Sequence, residues 1–222
     1  MIIVMESLNQ GISTRLYSID QAPLWETLWA PYDSLTYLSV LQEILPNDYV
    51  VDIGAGDLRL SFQMAAVAQR VEAVEIQPEI VRQGPPQSAY PQNLRVHITD
   101  ALTWPFPNGI SAAVLLMRHC THFQDYAEKL RQVGCQRLIT NARWRMDVEV
   151  IDLFQPRLPF QQVQLGWFAC WCGAVGFKPG PVENIDSFID HVQEVISCPN
   201  CNPETDNQSL LDNQLLQKTN HA

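Results

Sequence analysis

Five short apolar runs set the most demanding condition on this chain. They are YVVDI (49–53), VEAVEI (71–76), LRVHITDA (94–101), ISAAVLLM (110–117) and RLITNA (137–142). Strands of this kind are buried on both faces, as in a parallel sheet whose crossover helices cover it on either side. Between the runs lie DLRLSFQMAAVAQ, rich in helix formers, PEIVRQ, cut short by Gly84, Pro85 and Pro86, and FQDYAEKLRQV, with Gly134 where a helix end wants glycine. The expected architecture is α/β, a doubly wound and mostly parallel sheet.

Ahead of the first run, Asp33 or Ser34 is placed to cap a helix in DSLTYLSVLQEI, with Leu35, Leu38, Leu41 and Ile44 or Leu45 on one face and Pro46 as its stop. A further short helix is expected near 147–153. Beyond it, QQVQLGWFACWCGAVGF is β-rich and interrupted by glycine, the mark of a hairpin. The chain thus divides into a lead-in over 1–30 that holds Trp25 and Trp29, a core over 31–158, a cysteine-bearing β-rich extension over 159–202 and a polar, mobile tail over 203–222.

At 222 residues there is room for one well-cored domain with an appendage. The net charge of −10 repels phosphate backbones, which disfavours nonspecific nucleic-acid binding. Arg131, Arg137, Arg143 and Arg145 around Trp144 offer a local basic patch, though solvated arginines around a helix end are the preferred account of them. The opening MIIVMESLNQ is broken by Glu6 before a signal-peptide core accumulates, and no stretch is long enough to span a bilayer. These features point to a cytoplasmic protein without a membrane partner, in which the six cysteines are reduced thiols or metal ligands.

Candidate chemistry gathers where the strands end. In VVDIGAGD the strand runs into Gly54 and Gly56 and then a helix, an arrangement that brings backbone N–H groups and a helix start close to a ligand. A tight turn needs glycine for its own geometry, so the turn alone is a weak signal. Glu75 adds to it, ending the second strand about twenty residues on, where a carboxylate can accept from both ribose hydroxyls. Asp100 ends the third strand. With Asp52, three successive strands each bring an acid to the carboxyl edge, where open α/β sheets bind ligands.

On VVDIGAGD, VEAVEIQP and HITDALTWPFP, over roughly residues 31–145, the chain resembles the class I, Rossmann-like S-adenosylmethionine-dependent methyltransferases. The resemblance implies S-adenosylmethionine as cofactor, with Asp52, Gly54 and Gly56 along its methionine part, Glu75 on the ribose, and Asp100 with Ala101 at the adenine. A nicotinamide enzyme would place glycines two and five positions after Gly54, and position 59 is Arg59. Leu58 stands where the methyltransferase turn has its third glycine. WAPYDSLTYLSVLQEI resembles the segment with which some of these enzymes close over the cofactor, with Tyr32 as the contact. An aromatic that anchors the entry helix is the alternative.

Methyl transfer requires a positioned nucleophile, and a base where that nucleophile carries a proton. After the fourth strand, LLMRHCTHF lacks the Asn/Asp-Pro-Pro-aromatic motif of many adenine and glutamine N-methyltransferases. His119 and His122 are the general-base candidates, because imidazole titrates near neutral pH. Cys120 as a nucleophile is disfavoured by the absence of a Pro-Cys context. In ITNARW, Asn141, Arg143 and Trp144 share the rim. Arg143 suits a substrate carboxylate or phosphate and Trp144 a pocket wall, unless the pair merely closes the sheet edge.

Cys170 and Cys172 in CWCG, with Cys198 and Cys201 in CPNC, have the spacing of one tetrahedral structural zinc site, with His191 as a substitute ligand, or are four free thiols. The expected function is methyl transfer to a protein side chain or a small molecule. An RNA-adenine enzyme and a noncatalytic cofactor-binding or scaffold module are the alternatives.

Overall fold

The computed structural model describes residues 30–118, 120–143, 147–180 and 192–203. The 1–29 part of the lead-in, the chain from 204 onward, and His119, Trp144, Arg145 and His191 lie outside the described residues.

The five apolar runs form strands β1 (Tyr49–Ile53), β2 (Arg70–Glu75), β3 (Leu94–Ile98), β4 (Ala112–Leu115) and β5 (Arg137–Thr140). They pair in parallel in the order β3-β2-β1-β4-β5, with Val51 opposite both Glu72 and Ala113. The order reverses between β1 and β4, which opens a crevice at the carboxyl ends of these two strands. Alternate residues feed two cores. Val50, Ala73, Val114 and Ile139 pack on one face, and Val51, Val74, Ala113, Leu115 and Leu138 on the other.

The helices are α1 (Ser34–Gln42), α2 (Arg59–Ala65), α3 (Pro78–Val81) and α4 (Phe123–Gln132). Asp33 caps α1, accepting from the N–H groups of Leu35 and Thr36. Its buried stripe is offset from the expected leucine row. Val40 and Ile44 are buried, with Tyr37 and Leu41 packed beside them, whereas Leu35 and Leu38 are 72% and 50% exposed. A hydrogen bond from Tyr32 N–H to Tyr37 Oη at 3.0 Å fixes the entry and turns the Tyr37 side inward.

The helix expected near 147–153 is instead strand β6 (Glu149–Asp152), antiparallel to β5 at the sheet edge. Ile151 and Leu153 are buried while Val150 faces outward, so the period is two, not 3.6. Pairing satisfies a row of β5 backbone groups that a helix would leave open.

The extension forms a second sheet of order β8-β7-β9 from β7 (Gly166–Cys170), β8 (Val175–Lys178) and β9 (Val192–Val195). The expected hairpin is β7–β8, and β9 adds in parallel to β7. Leu158 bridges to Val195, so the chain enters this sheet along the β9 edge. Among the described residues no helix is long and apolar enough to cross a membrane.

Candidate functional site

The turn after β1 alternates into left-handed backbone at Gly54 (φ 72°), Gly56 (φ 58°) and Leu58 (φ 68°). Gly54 and Ala55 N–H both donate to Val74 carbonyl, at 2.9 and 3.1 Å, folding the turn against β2. Gly56 N–H then donates to Glu75 Oε2 at 2.9 Å, and Gln77 N–H to Oε1 at 2.9 Å. Glu75 is only 5% exposed, so its carboxylate is held between two backbone donors and keeps further lone pairs for a ligand.

Two close approaches shape this turn. A Cβ on Gly54 would lie 3.2 Å from Met117 Cε, and one on Gly84 would lie 2.0 Å from Asp57 carbonyl oxygen. Arg59 Nε binds both Asp57 oxygens, at 2.9 and 2.8 Å.

Asp52 lies beneath the turn, where Ser61 Oγ donates to it at 2.5 Å. Burial pushes its carboxyl up to about 7, with the Ser61 bond opposing and the Glu75 charge adding. This pKa is raised above the ordinary 3.8, so the stability linked to it is full below about pH 4 and is lost as pH rises through about 7. Asp52→Asn is therefore expected to be the more stable protein at pH 8, by on the order of 4 kcal/mol, with the gap closing towards pH 4. Urea unfolding across that range checks it, and parallel profiles for the two proteins would exclude a buried carboxyl.

β3 ends at Ile98, short of the expected 101, and in the loop after it Asp100 Oδ1 accepts from Leu102 N–H at 2.8 Å, with Ala101 buried. Lys129 of α4, which carried no sequence signal, closes this loop. Its Nζ donates to the carbonyls of Ala101, Leu102 and Trp104 at 2.6, 2.6 and 2.9 Å. Burial pulls the Lys129 ammonium pKa down, and the Asp100 charge opposes that shift. Ile76, directly after Glu75, is 59% exposed and offers an apolar surface beside the acid. At the other side of the edge, Tyr32 Oη accepts from Arg118 N–H at 3.2 Å, and the Arg118 guanidinium lies 4.9 Å from its ring. The entry segment therefore rests on the chain that follows β4.

Asp52, Gly54, Gly56 and Glu75 thus form one constellation, with Asp100, Ala101 and Tyr32 along the same edge of the sheet, while the other predicted residues fall elsewhere. His122 precedes α4, half-exposed, and its Nδ1 pairs with Asp125 Oδ2 at 3.1 Å. His119 and Trp144 lie outside the described residues.

The reading of Arg143 as a substrate anchor is corrected. Its side chain is 1% exposed, Nε donates to Glu149 Oε1 at 2.9 Å, and Nη1 donates to Glu194 Oε2 at 3.0 Å. A guanidinium this buried, and held by two carboxylates, is closed to a ligand from solvent. Arg137 is likewise paired, with Asp48, so these two arginines do not form a basic surface patch. Between them Asn141 is fully buried, and among the described residues neither amide atom has a partner.

The four C-terminal cysteines come together, with all four Sγ atoms within 4.8 Å of one another. The separations are 3.7 Å for Cys170–Cys201, 3.8 Å for Cys172–Cys198 and 4.0 Å for Cys198–Cys201. These far exceed a disulfide bond of about 2.05 Å. They match the edge of a tetrahedron built on metal–sulfur bonds of about 2.3 Å, which is about 3.8 Å. Cys198 N–H also donates to Cys201 Sγ at 3.3 Å, so the turn presents its sulfur as an acceptor. Burial pushes the Cys170 and Cys172 thiols up, a shift that a coordinated divalent cation reverses. The cluster is compatible with zinc.

No protein-family model matches the chain, and no curated protein does. Among solved structures, it is similar to a precorrin-8W decarboxylase of Methanobacterium thermoautotrophicum at 21% identity, covering 51% of this chain and 65% of that one, with a TM-score of 0.44. A phosphoethanolamine N-methyltransferase of Haemonchus contortus is similar at 19% identity over 48% of this chain and 25% of that one, TM-score 0.42. A 23S rRNA methyltransferase is similar at 19% identity over 49% and 46%, TM-score 0.43. In each case the match spans less than two thirds of the other protein. The doubly wound fold therefore rests on the strand order and pairing of this chain itself.

Proposed function

We propose that this protein is an S-adenosylmethionine-dependent methyltransferase acting in the cytoplasm on a protein side chain or a small molecule. The observation that carries the reading is the Glu75 carboxylate, held by Gly56 N–H at the carboxyl edge of β2, with Asp100 in the loop just after the neighbouring strand β3. The residues fit the group. Gly54 and Gly56 leave the backbone open to its methionine part, the free lone pairs of Glu75 suit paired ribose hydroxyls, and Asp100 with Ala101 suits the adenine edge, which Ile76 would cover. Tyr32 borders the same edge, and Asp52 supports the turn from below. Bound there, S-adenosylmethionine supplies an electrophilic methyl group.

The chain itself must then orient the acceptor and take its proton. His122 is the described candidate for that proton, because it stands after β4, across the strand-order reversal from Glu75. His122→Ala is expected to lower turnover on the order of a hundredfold and to leave S-adenosylhomocysteine affinity unchanged. Full turnover by the variant would assign the base elsewhere.

We infer also that Cys170, Cys172, Cys198 and Cys201 hold a structural zinc ion. The net charge of −10 favours a basic protein segment over a nucleic acid as acceptor. Calorimetry with S-adenosylhomocysteine tests the central claim. Saturable one-to-one binding supports it, and absence of binding at millimolar ligand rejects it. Methyl transfer to RNA would select the RNA-adenine alternative, and tight binding without any acceptor in cell extract the noncatalytic one.

A further inference from the structure

Among the described residues, the segments that carry the cysteine cluster reach helix α4, which follows β4, and Arg143, which follows β5. Between Cys170 and Gly173 the chain turns over Phe123, the first residue of α4. A Cβ on Gly173 would lie 3.2 Å from Phe123 Cβ. Phe123 directly follows His122, so this contact bears on the segment after β4.

The second connection runs through Glu194 on β9, four residues before Cys198. The neighbouring Val195 carbonyl accepts Trp171 N–H at 3.2 Å, which ties β9 to the Cys170–Cys172 turn. Glu194 grips Arg143, which Glu149 of β6 holds from the other side, and the guanidinium lies 5.5 Å from the Phe123 ring. Trp171 is covered by Arg157 at 4.1 Å and by Arg131 of α4 at 5.3 Å. Among the described residues, none of these contacts involves Gly56, Glu75 or Asp100.

We propose that the metal cluster braces the acceptor-side half of the rim, with Arg143 and Phe123 as positioning residues. Metal occupancy then sets the segment after β4 and the end of β5, and the cofactor half stands without it. The inference rests on the zinc assignment above.

Its physical basis is the small sheet, whose strands of four and five residues are marginal alone. Metal-binding free energy becomes folding free energy in such a module. Without metal, β9 keeps only its short backbone pairing with β7, and Glu194 is held less firmly in place. Arg143 then becomes a buried charge with one partner in place of two, which loosens β5, β6 and the Phe123 contact together.

The test is hydrogen exchange and S-adenosylhomocysteine calorimetry on the full chain, first with stoichiometric zinc and then after chelation. Exchange over 120–132 and 137–143 is expected to rise at least about tenfold, with the dissociation constant moving less than about threefold. An increase confined to 158–201 overturns the brace while sparing the zinc reading, and equal loss of protection throughout with loss of ligand binding also overturns it. Protein purified without zinc and indifferent to chelation rejects the metal site and the brace with it. Failure of the zinc-loaded protein to bind the ligand rejects the methyltransferase reading, and the exchange result still decides the coupling. Glu194→Gln provides the second arm, retaining zinc yet reproducing the faster exchange over 137–143. Unchanged exchange there would exclude Arg143 as the link.

Discussion

Glu75→Ala will weaken S-adenosylhomocysteine binding by roughly 3 kcal/mol or more, a factor of about 150 or greater, because two charge-assisted bonds of about 1.5–3 kcal/mol each are removed. The loss has a second origin in this structure. Glu75 also accepts from Gly56 N–H, so the variant frees the turn proposed to line the methionine part of the site. Glu75→Gln separates the two contributions, since its amide oxygen still accepts one backbone bond while the negative charge is gone. It is expected to fall between wild type and alanine. Asp100→Ala should cost less, because the Asp100 loop keeps its three carbonyl bonds to Lys129 when the carboxylate is lost. Calorimetry on variants with unchanged circular dichroism decides the matter. Affinities within threefold of wild type for both Glu75→Ala and Asp100→Ala would remove the cofactor assignment.

How far the sequence was legible depends on how local each determinant is. The parallel strands were readable because burial on both faces leaves a continuous apolar run, which nothing else of that length requires. The two cysteine pairs were readable for a similar reason, since each sits on its own short turn, and the parallel pairing of β9 on β7 brings the two turns together. β6 was not readable. VEVID suits either a short helix or an edge strand, and the free edge of β5, which decides between them, lies outside the segment. Arg143 was misassigned to a ligand because its partner Glu194 stands 51 positions away. Lys129 was missed for the same reason, as its carbonyl partners are 25 to 28 positions away.

Leu58 shows a different limit. By identity it reads as the start of a helix, yet it takes the left-handed backbone expected of a third glycine. The left-handed conformation costs about 1–2 kcal/mol. Its side chain is fully buried, however, which contributes about 1.5–3 kcal/mol. Burial offsets the strain, and the turn keeps its path without the third glycine. No rule of local propensity carries that comparison, because one side of it is packing against Val50, Met64 and the rest of that core.

Gly84 carries the other large expected effect, and in the sequence it appears only as the end of a weak helix. In the structure the chain leaving α3 rests against the glycine turn, and a Cβ at this position would stand 2.0 Å from Asp57 carbonyl oxygen and 3.0 Å from its carbonyl carbon. Both are backbone atoms, so no rotamer change relieves the contact. Either the segment after α3 or the Gly56–Leu58 turn must move. The turn is anchored through Glu75 and the Asp57–Arg59 pair, while α3 buries Ile80 and Val81, so neither moves freely. Gly84→Ala is therefore expected to destabilise the fold by about 3 kcal/mol, lowering the melting temperature by roughly 6–12 °C for a chain of this size. It should also weaken S-adenosylhomocysteine binding, although Gly84 is not assigned to the ligand. Gly109 is the control, because a Cβ there meets nothing within 4 Å and only its positive φ (85°) opposes a side chain. Gly109→Ala should therefore show only backbone strain, about 1 kcal/mol, and unchanged ligand affinity. If the two variants melt together and bind alike, the packing of α3 on the turn does not hold the cofactor site in shape.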